Sequence, residues 1–357
     1  MLGDDDFYPD KFRETILKGG FGKNLKQQQK EDRAQRRTAE EERDSKDDKK
    51  GSKPNFLRPS DIAGDYDFKR ALTTTLGMPE GMVRALTKDD LIAFKHNIET
   101  IAKNYQGGIT VEQVIAFSRH EDIDRANKQI HVAHPVRRKS GLVHFLTNAS
   151  RESDVAYHHV NVEFQAFQEL SLAPEKIKKT TVQNRLAKGK VKFECDCGRF
   201  KYWYRYINTV GGTVLGRKEG SFPKIRNPQV TGIACKHILR VMHYIKSAHG
   251  QRYLELALQN DRTKQVGARY KQNKQDLAQN IAEQMVRANT KRNEIKPRLQ
   301  QEVKKLERKA QARAKAIADR AKQVQSKQQA LNKLNTLLNQ GILTQEEYQV
   351  LSKNLGK

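Results

Sequence analysis

Cysteine is scarce in this chain, with three residues in 357. That is too few for a disulfide framework. Tryptophan occurs once, hydrophobic residues make up only 36% of the sequence, and mean hydropathy is −0.85. Such a composition does not fill one core over the whole length, so part of the chain is expected outside the globular body. No apolar run approaches the roughly 20 residues of a membrane span. Residues 1–6 are acidic and lack a hydrophobic segment, so they do not read as a signal peptide. There is no phosphate loop, no Gly-x-Ser-x-Gly, no His-Glu-x-x-His and no paired-carboxylate constellation. These absences argue against an enzyme and leave no small-molecule substrate identified.

What cysteine there is falls in one pattern. Cys195-Asp-Cys197 is followed, after a long insert, by Cys235-Lys-His237. Three thiolates and an imidazole are a usual tetrahedral set for a structural Zn2+ ion. The stretch 191–197 reads as a strand, which puts positions 195 and 197 on one face. Cys235 and His237 open an apolar run, Ile238, Leu239, Val241, Met242 and Ile245, with helical spacing. The second ligand pair is thus expected at a helix N-terminus, where the dipole favours thiolate. Thiols of this kind imply a reducing, cytoplasmic site of folding.

Cys195-x-Cys197…Cys235-x-His237 resembles the SWIM-type zinc finger, a ββα module whose ligands follow C-x-C-x(n)-C-x-H. The resemblance implies metal-ligand roles for those four residues, and the 198–234 insert is longer than in many members. The Gly198-Arg-Phe-x-Tyr-Trp-Tyr-Arg stretch, with Asn227-Pro228 and Gly232 before Cys-Lys-His-Ile, is similar to zinc-finger proteins of tailed-phage virions. That similarity covers about residues 190–245 and implies DNA and other virion proteins as partners.

The net charge is +26, and it is unevenly placed: +2 over 1–60, −2 over 61–170, +13 over 171–250 and +13 over 251–357. A basic surface attracts nucleic acid without sequence preference. Candidate contacts are Lys188, Lys190, Lys192, Arg199, Lys201, Arg205 and Lys236. Phe200, Tyr202, Trp203, Tyr204 and Tyr206 lie among these cations. They can stack on bases or form the core of a small module, and alternation in a strand would bury half of them.

Five regions are expected. Residues 1–60 read as a disordered charged tail, in which 23–53 carries almost no apolar side chain. Residues 61–170 read as a small α+β domain. It has a helix-like stretch at Leu72 and Leu76, a helix capped at Thr87, a capping box at Thr110 and Gln113, and strands near 130–135, 142–147 and 160–167. Its histidines, including His131, His134, His144, His158 and His159, are expected to be core or surface residues rather than ligands. Residues 171–250 form the basic zinc module, and 251–330 a long basic helical region broken at Pro297.

Beyond that proline, Val303, Ala310, Ile317, Val324, Leu331 and Leu338 recur every seven residues. Their companion positions turn basic at Arg313, Arg320 and Lys327, which suits a helix lying on another surface better than a two-stranded coiled coil. Residues 331–357 read as a helical hairpin with Gly341 as C-cap and Thr344-x-x-Glu347 as capping box. It resembles the SHOCT C-terminal module, which implies oligomerisation or docking. Leu334, Leu338, Ile342, Tyr348, Leu351 and Leu355 are the expected docking residues, against another copy or a virion partner. The chain as a whole reads as α+β, a non-enzymatic zinc-stabilised protein that contacts DNA in a virion after cytoplasmic synthesis. The alternative is a zinc-dependent protein-interaction adaptor or regulator.

Overall fold

The computed structural model describes Lys30, Ala34 and residues 56–356, apart from 69–71, 106, 152, 154, 174–177, 264–268, 272, 289, 291–292 and 298–299. The expected tail at 1–60 therefore lies almost wholly outside the described residues. The fold mixes helix and sheet and ends in a helix pair. A short hairpin, β1 (Thr73–Thr74) and β2 (Arg84–Ala85), leads into α1 (Lys88–Tyr105). Then come β3 (Ile109–Thr110), α2 (Val111–Ala116), α3 (His120–Gln129), β4 (Ala133–Lys139), β5 (Leu142–Asn148) and β6 (Tyr157–Phe164). Short helices α4 (Phe167–Leu172) and α5 (Lys179–Val182) precede β7 (Lys190–Cys195). The rest is largely helical: α6 (Arg205–Val210), α7 (Lys236–Lys246), α8 (Ala248–Thr263), a strand β8 (Arg269–Lys271), α9 (Lys274–Val286), α10 (Gln300–Asn339) and α11 (Gln345–Gly356).

The helix starts follow their local chemistry. Asp90 accepts from the Thr87 backbone N–H at 2.8 Å and the Thr87 hydroxyl accepts from the Asp90 N–H, so two orphan donors at the start of α1 are satisfied reciprocally. Asp90 is also held by both Arg84 terminal nitrogens at 2.7 Å, which ties the hairpin to α1. Thr110 and Gln113 form the expected capping box on α2.

Six strands form one antiparallel sheet in the order β3-β7-β6-β5-β4-β8. One face carries Val143, Phe145, Val160, Val162, Val191, Phe193 and Cys195. Helix α7 crosses β4 to β7 on that face and buries Ile238, Leu239, Val241, Met242 and Ile245 against it. Apolar burial of this kind is worth roughly 1.5–3 kcal/mol per large side chain. On the other face, Leu277 and Ile281 of α9 cover Val136, Leu146 and Tyr157.

Three expectations are corrected here. The sheet crosses the division expected at residue 170, because β6 pairs with β7 along five residues. The helix-like stretch at Leu72 and Leu76 is the β1 hairpin, and both leucines are buried in it. Residues 200–210 are a wide helical turn running into α6, not an alternating strand. Phe200, Tyr204 and Tyr206 therefore face the core at helical spacing, while Tyr202 is 59% exposed.

The long helix α10 meets the body through Ala314 and Ala318, which pack on Gly77, with Ile317 against the main core. Ile317 and half-buried Ala310 lie on the heptad line, Ala314 and Ala318 extend the contact at three- and four-residue spacing, and Val324 on that line is exposed. Helix α11 folds back on α10 after Gly341, whose φ of +70° supplies the left-handed turn. Thr344 and Glu347 cap α11 as expected, the Thr344 N–H donating to the Glu347 carboxylate at 2.9 Å. Of the six expected docking residues, Leu334, Leu338 and Tyr348 are half-buried, whereas Ile342 and Leu351 are exposed. The Leu355 side chain lies outside the described residues.

Candidate metal centre

Cys195 ends β7, Cys197 lies two residues on, and Cys235 is the N-cap of α7, with His237 in its first turn. All four side chains are buried, and their ligand atoms lie within 4.8 Å of one another. His237 turns Nδ1 inward, 3.9 Å from Cys195 Sγ and 4.0 Å from Cys235 Sγ. A tetrahedral centre with metal–sulfur bonds of about 2.3 Å and metal–nitrogen bonds of about 2.0 Å has sulfur–nitrogen edges of roughly 3.6 Å. The two measured sulfur–nitrogen edges are thus within a few tenths of an ångström of those around one bound ion.

The surroundings favour metal. Burial pushes the Cys195 and Cys235 thiols up. Burial opposes ionisation of Cys197 as well, but hydrogen bonds from Cys195, Cys235 and His237 outweigh it and hold that thiol well below its usual value. Burial, with the neighbouring His158, lowers His237 to about 4, leaving the imidazole neutral with a free lone pair. Backbone N–H groups of Cys197 and Phe200 point at Cys195 Sγ and Cys197 Sγ, at 3.5 and 3.4 Å. Such contacts stabilise thiolate.

Between the ligand pairs, the insert makes the wide turn, α6 and a loop. The loop returns to the sheet at Val214, which bridges Phe193 in parallel, and the Phe193 N–H donates to the Thr213 carbonyl at 3.0 Å. Asn227 pins the loop end, donating to the Trp203 and Thr231 carbonyls at 3.1 and 3.0 Å.

His158 belongs to this centre, although residue type alone did not mark it. Its ring lies 4.2 Å from that of His237, and its Nδ1 is 2.9 Å from Asp196 Oδ1. Only the register of the folded sheet marks it: Val160 pairs with Cys195, which places His158 beside the Cys-x-Cys turn on the same sheet face.

On the opposite face a polar row crosses the sheet. Asn161 Nδ2 donates to Glu194 Oε1 at 2.9 Å, so its Oδ1 accepts from His144 Nδ1 at 2.7 Å. His144 Nε2 then accepts from His159 Nδ1 at 2.9 Å. Burial lowers His144 to about 4 and His159 to about 3, and Arg137 pushes both the same way. Unfolded, each titrates near 6.5. The stability this pair contributes is therefore complete above pH 6.5 and is lost as pH falls toward 4. Unfolding free energies from urea titrations at pH 7.5 and 5.0 should differ more for the wild type than for His144→Gln, by about 2 kcal/mol for one uncoupled histidine. Equal differences would remove the pair from the pH dependence.

The expected nucleic-acid contacts divide. Lys188 and Lys190 are exposed, and Lys192 and Lys201 are half-buried. Arg199 is engaged by Asp122 at 3.2 and 3.1 Å and lies 3.5 Å over the Trp203 ring. Asp122 also accepts a short hydrogen bond from the Tyr204 hydroxyl. Arg205 is buried over Phe200, and buried Lys236 donates to Gln129 Oε1 at 2.6 Å. Arg205 and Lys236 thus turn their charges inward rather than offering them to a partner. Among the described residues no helix is long and apolar enough to cross a membrane. No family model, curated protein or solved structure matches the chain.

Proposed function

We propose that Cys195, Cys197, Cys235 and His237 hold one zinc ion, and that the chain is a non-enzymatic structural protein that contacts duplex DNA without sequence preference. The observation that carries the DNA contact is the charge map, with the whole positive excess in the last two regions, +13 in each. Three sulfurs and one nitrogen favour zinc among common ions. Four protein ligands fill its coordination shell, so its role is structural rather than catalytic. A strand carrying the first ligand pair and a helix carrying the second support the reading of a zinc module, although beside β7 the insert makes an isolated bridge at Val214 and, among the described residues, no second strand. A virion setting, inside the head or at the head–tail junction, rests on the resemblance at Gly198–Arg205 and its neighbours.

The test uses the full chain, because a cut at residue 170 would separate β6 from β7. Two unrelated duplexes of about 30 base pairs should bind with similar affinity, and the affinity should fall steeply and linearly in log–log form as salt rises. No retention at low salt, or affinity indifferent to salt, would reject the reading.

Exposed Ile342, Val350 and Leu351 on the terminal helix pair favour the second reading, an adaptor that assembles copies or partner proteins. DNA retention separates the two.

A further inference from the structure

Residues 171–250 carry an excess of +13 and the long helix, residues 300–339, one of +7, but they present it differently. We infer that the surface that meets nucleic acid is the outward face of α10, and that it grips the phosphates of a duplex rather than its bases. The inference rests on the nucleic-acid reading above and goes further by naming the contact face and the form of the partner.

The orientation of α10 follows from its contact with the body. Ala314 and Ala318 are buried, and Ala310, Ile317 and Ala321 are half-buried. At 100° per residue these five fall on one side. Arg308, Lys309, Arg313, Lys315, Arg320, Lys322 and Lys327 fall on the other, and all seven are exposed. Six of the seven form two files, 308/315/322 and 313/320/327, each stepping by seven residues and so nearly straight along the helix. Asp319 is the single acid between positions 308 and 327. Arg313 reaches His96 Nε2 at 3.5 Å. Among the described residues the other six make no ion pair.

Reach and chemistry fit a duplex backbone. From position 308 to 327 the helix rises about 29 Å. A duplex presents a phosphate charge per about 1.7 Å of axis, so one side of it offers many partners over that length. Residues 300–339 contain no aromatic side chain, so no ring there offers a stacking platform for unpaired bases. Phosphate contact without base contact gives affinity without sequence preference. In the metal-bearing region, by contrast, Arg199 is paired and Arg205 and Lys236 are buried.

The experiment compares two variants of the full chain on one duplex of about 30 base pairs. The first replaces Lys315, Arg320, Lys322 and Lys327 with glutamine, which keeps helix propensity and touches none of the body contacts. The second replaces Lys188, Lys190 and Lys192 with glutamine. For the first, the slope of log affinity against log salt should shrink by three to four, at about 0.9 per lost phosphate contact. Far-ultraviolet circular dichroism and metal content should stay at wild-type values. The second should bind within twofold of wild type. A first variant that binds as wild type does, or a second that loses as much, overturns the inference and leaves DNA binding standing. Failure of the wild type to bind overturns both. Equal affinity for single-stranded DNA would reject the duplex-backbone form.

Discussion

Cys197→Ser should empty the metal centre and loosen the junction of β7 with α7. Wild-type protein is expected to carry one metal ion per chain and to hide three thiols from a thiol reagent until a strong chelator is added. The variant should carry close to none, because one neutral hydroxyl leaves three ligands of four. The consequence is structural. Binding free energy at such centres, roughly 10–16 kcal/mol in small zinc peptides, is folding free energy. Here a bound ion would join the end of β7 to the start of α7, the helix that covers four strands. Even a partial loss of several kcal/mol lowers the melting temperature by on the order of 10 °C in a domain of this size. Serine is nearly isosteric with cysteine, so packing alone predicts a much smaller change. Wild-type protein with no metal, three freely reacting thiols and a melting temperature indifferent to chelator would falsify the assignment.

Gly77→Ala should release the middle of α10. Gly77 has a φ of +71°, and a Cβ there would collide with the Ala314 carbonyl and stand 2.5 Å from Ala318 Cβ. Backbone oxygen cannot swing aside as a long side chain can, so the helix has to lift. The left-handed conformation adds about 1 kcal/mol of its own. Gly81→Ala separates the two effects, since Gly81 has a φ of +81° with nothing within 4 Å of its Cβ position. Proteolysis within 310–322 should accelerate strongly for Gly77→Ala and stay near wild type for Gly81→Ala. Equal protection in both would mean that α10 does not rest on the hairpin.

The metal tetrad was legible because its chemistry is encoded by spacing of two residues within each pair, and strand and helix geometry act at that range. The caps at Thr87, Thr110 and Thr344 were legible for the same reason. What the sequence hid depends on distant partners. No local pattern says that Val160 will lie opposite Cys195, so the sheet seemed to end before residue 171 and His158 went unmarked. Alternating aromatics at 200–206 mimic a strand, but helical packing of Phe200, Tyr204 and Tyr206 buries more of them. The heptad from Val303 to Leu338 was the strongest period in the C-terminal half. The contact adds to its Ile317 the two alanines Ala314 and Ala318, because a glycine on the hairpin allows the backbones closer than leucines would. Arg199 looked like a free cation until Asp122, 77 residues earlier in the chain, came to meet it.

The two ligand pairs stand at either end of the 198–234 insert, so a bound ion turns that insert into a closed ring. Closing a loop of roughly 40 residues costs about 4 kcal/mol of chain entropy, which metal binding has to offset. Once the ends are pinned, the ring's length matters little, since doubling a flexible loop costs only about 0.6 kcal/mol more. The tip near Gly216, Lys218 and Gly220 is exposed or half-exposed and makes no strand. Insertions and deletions over evolutionary time should therefore gather at that tip, while the chain just before Cys197 and just after Cys235 keeps its length.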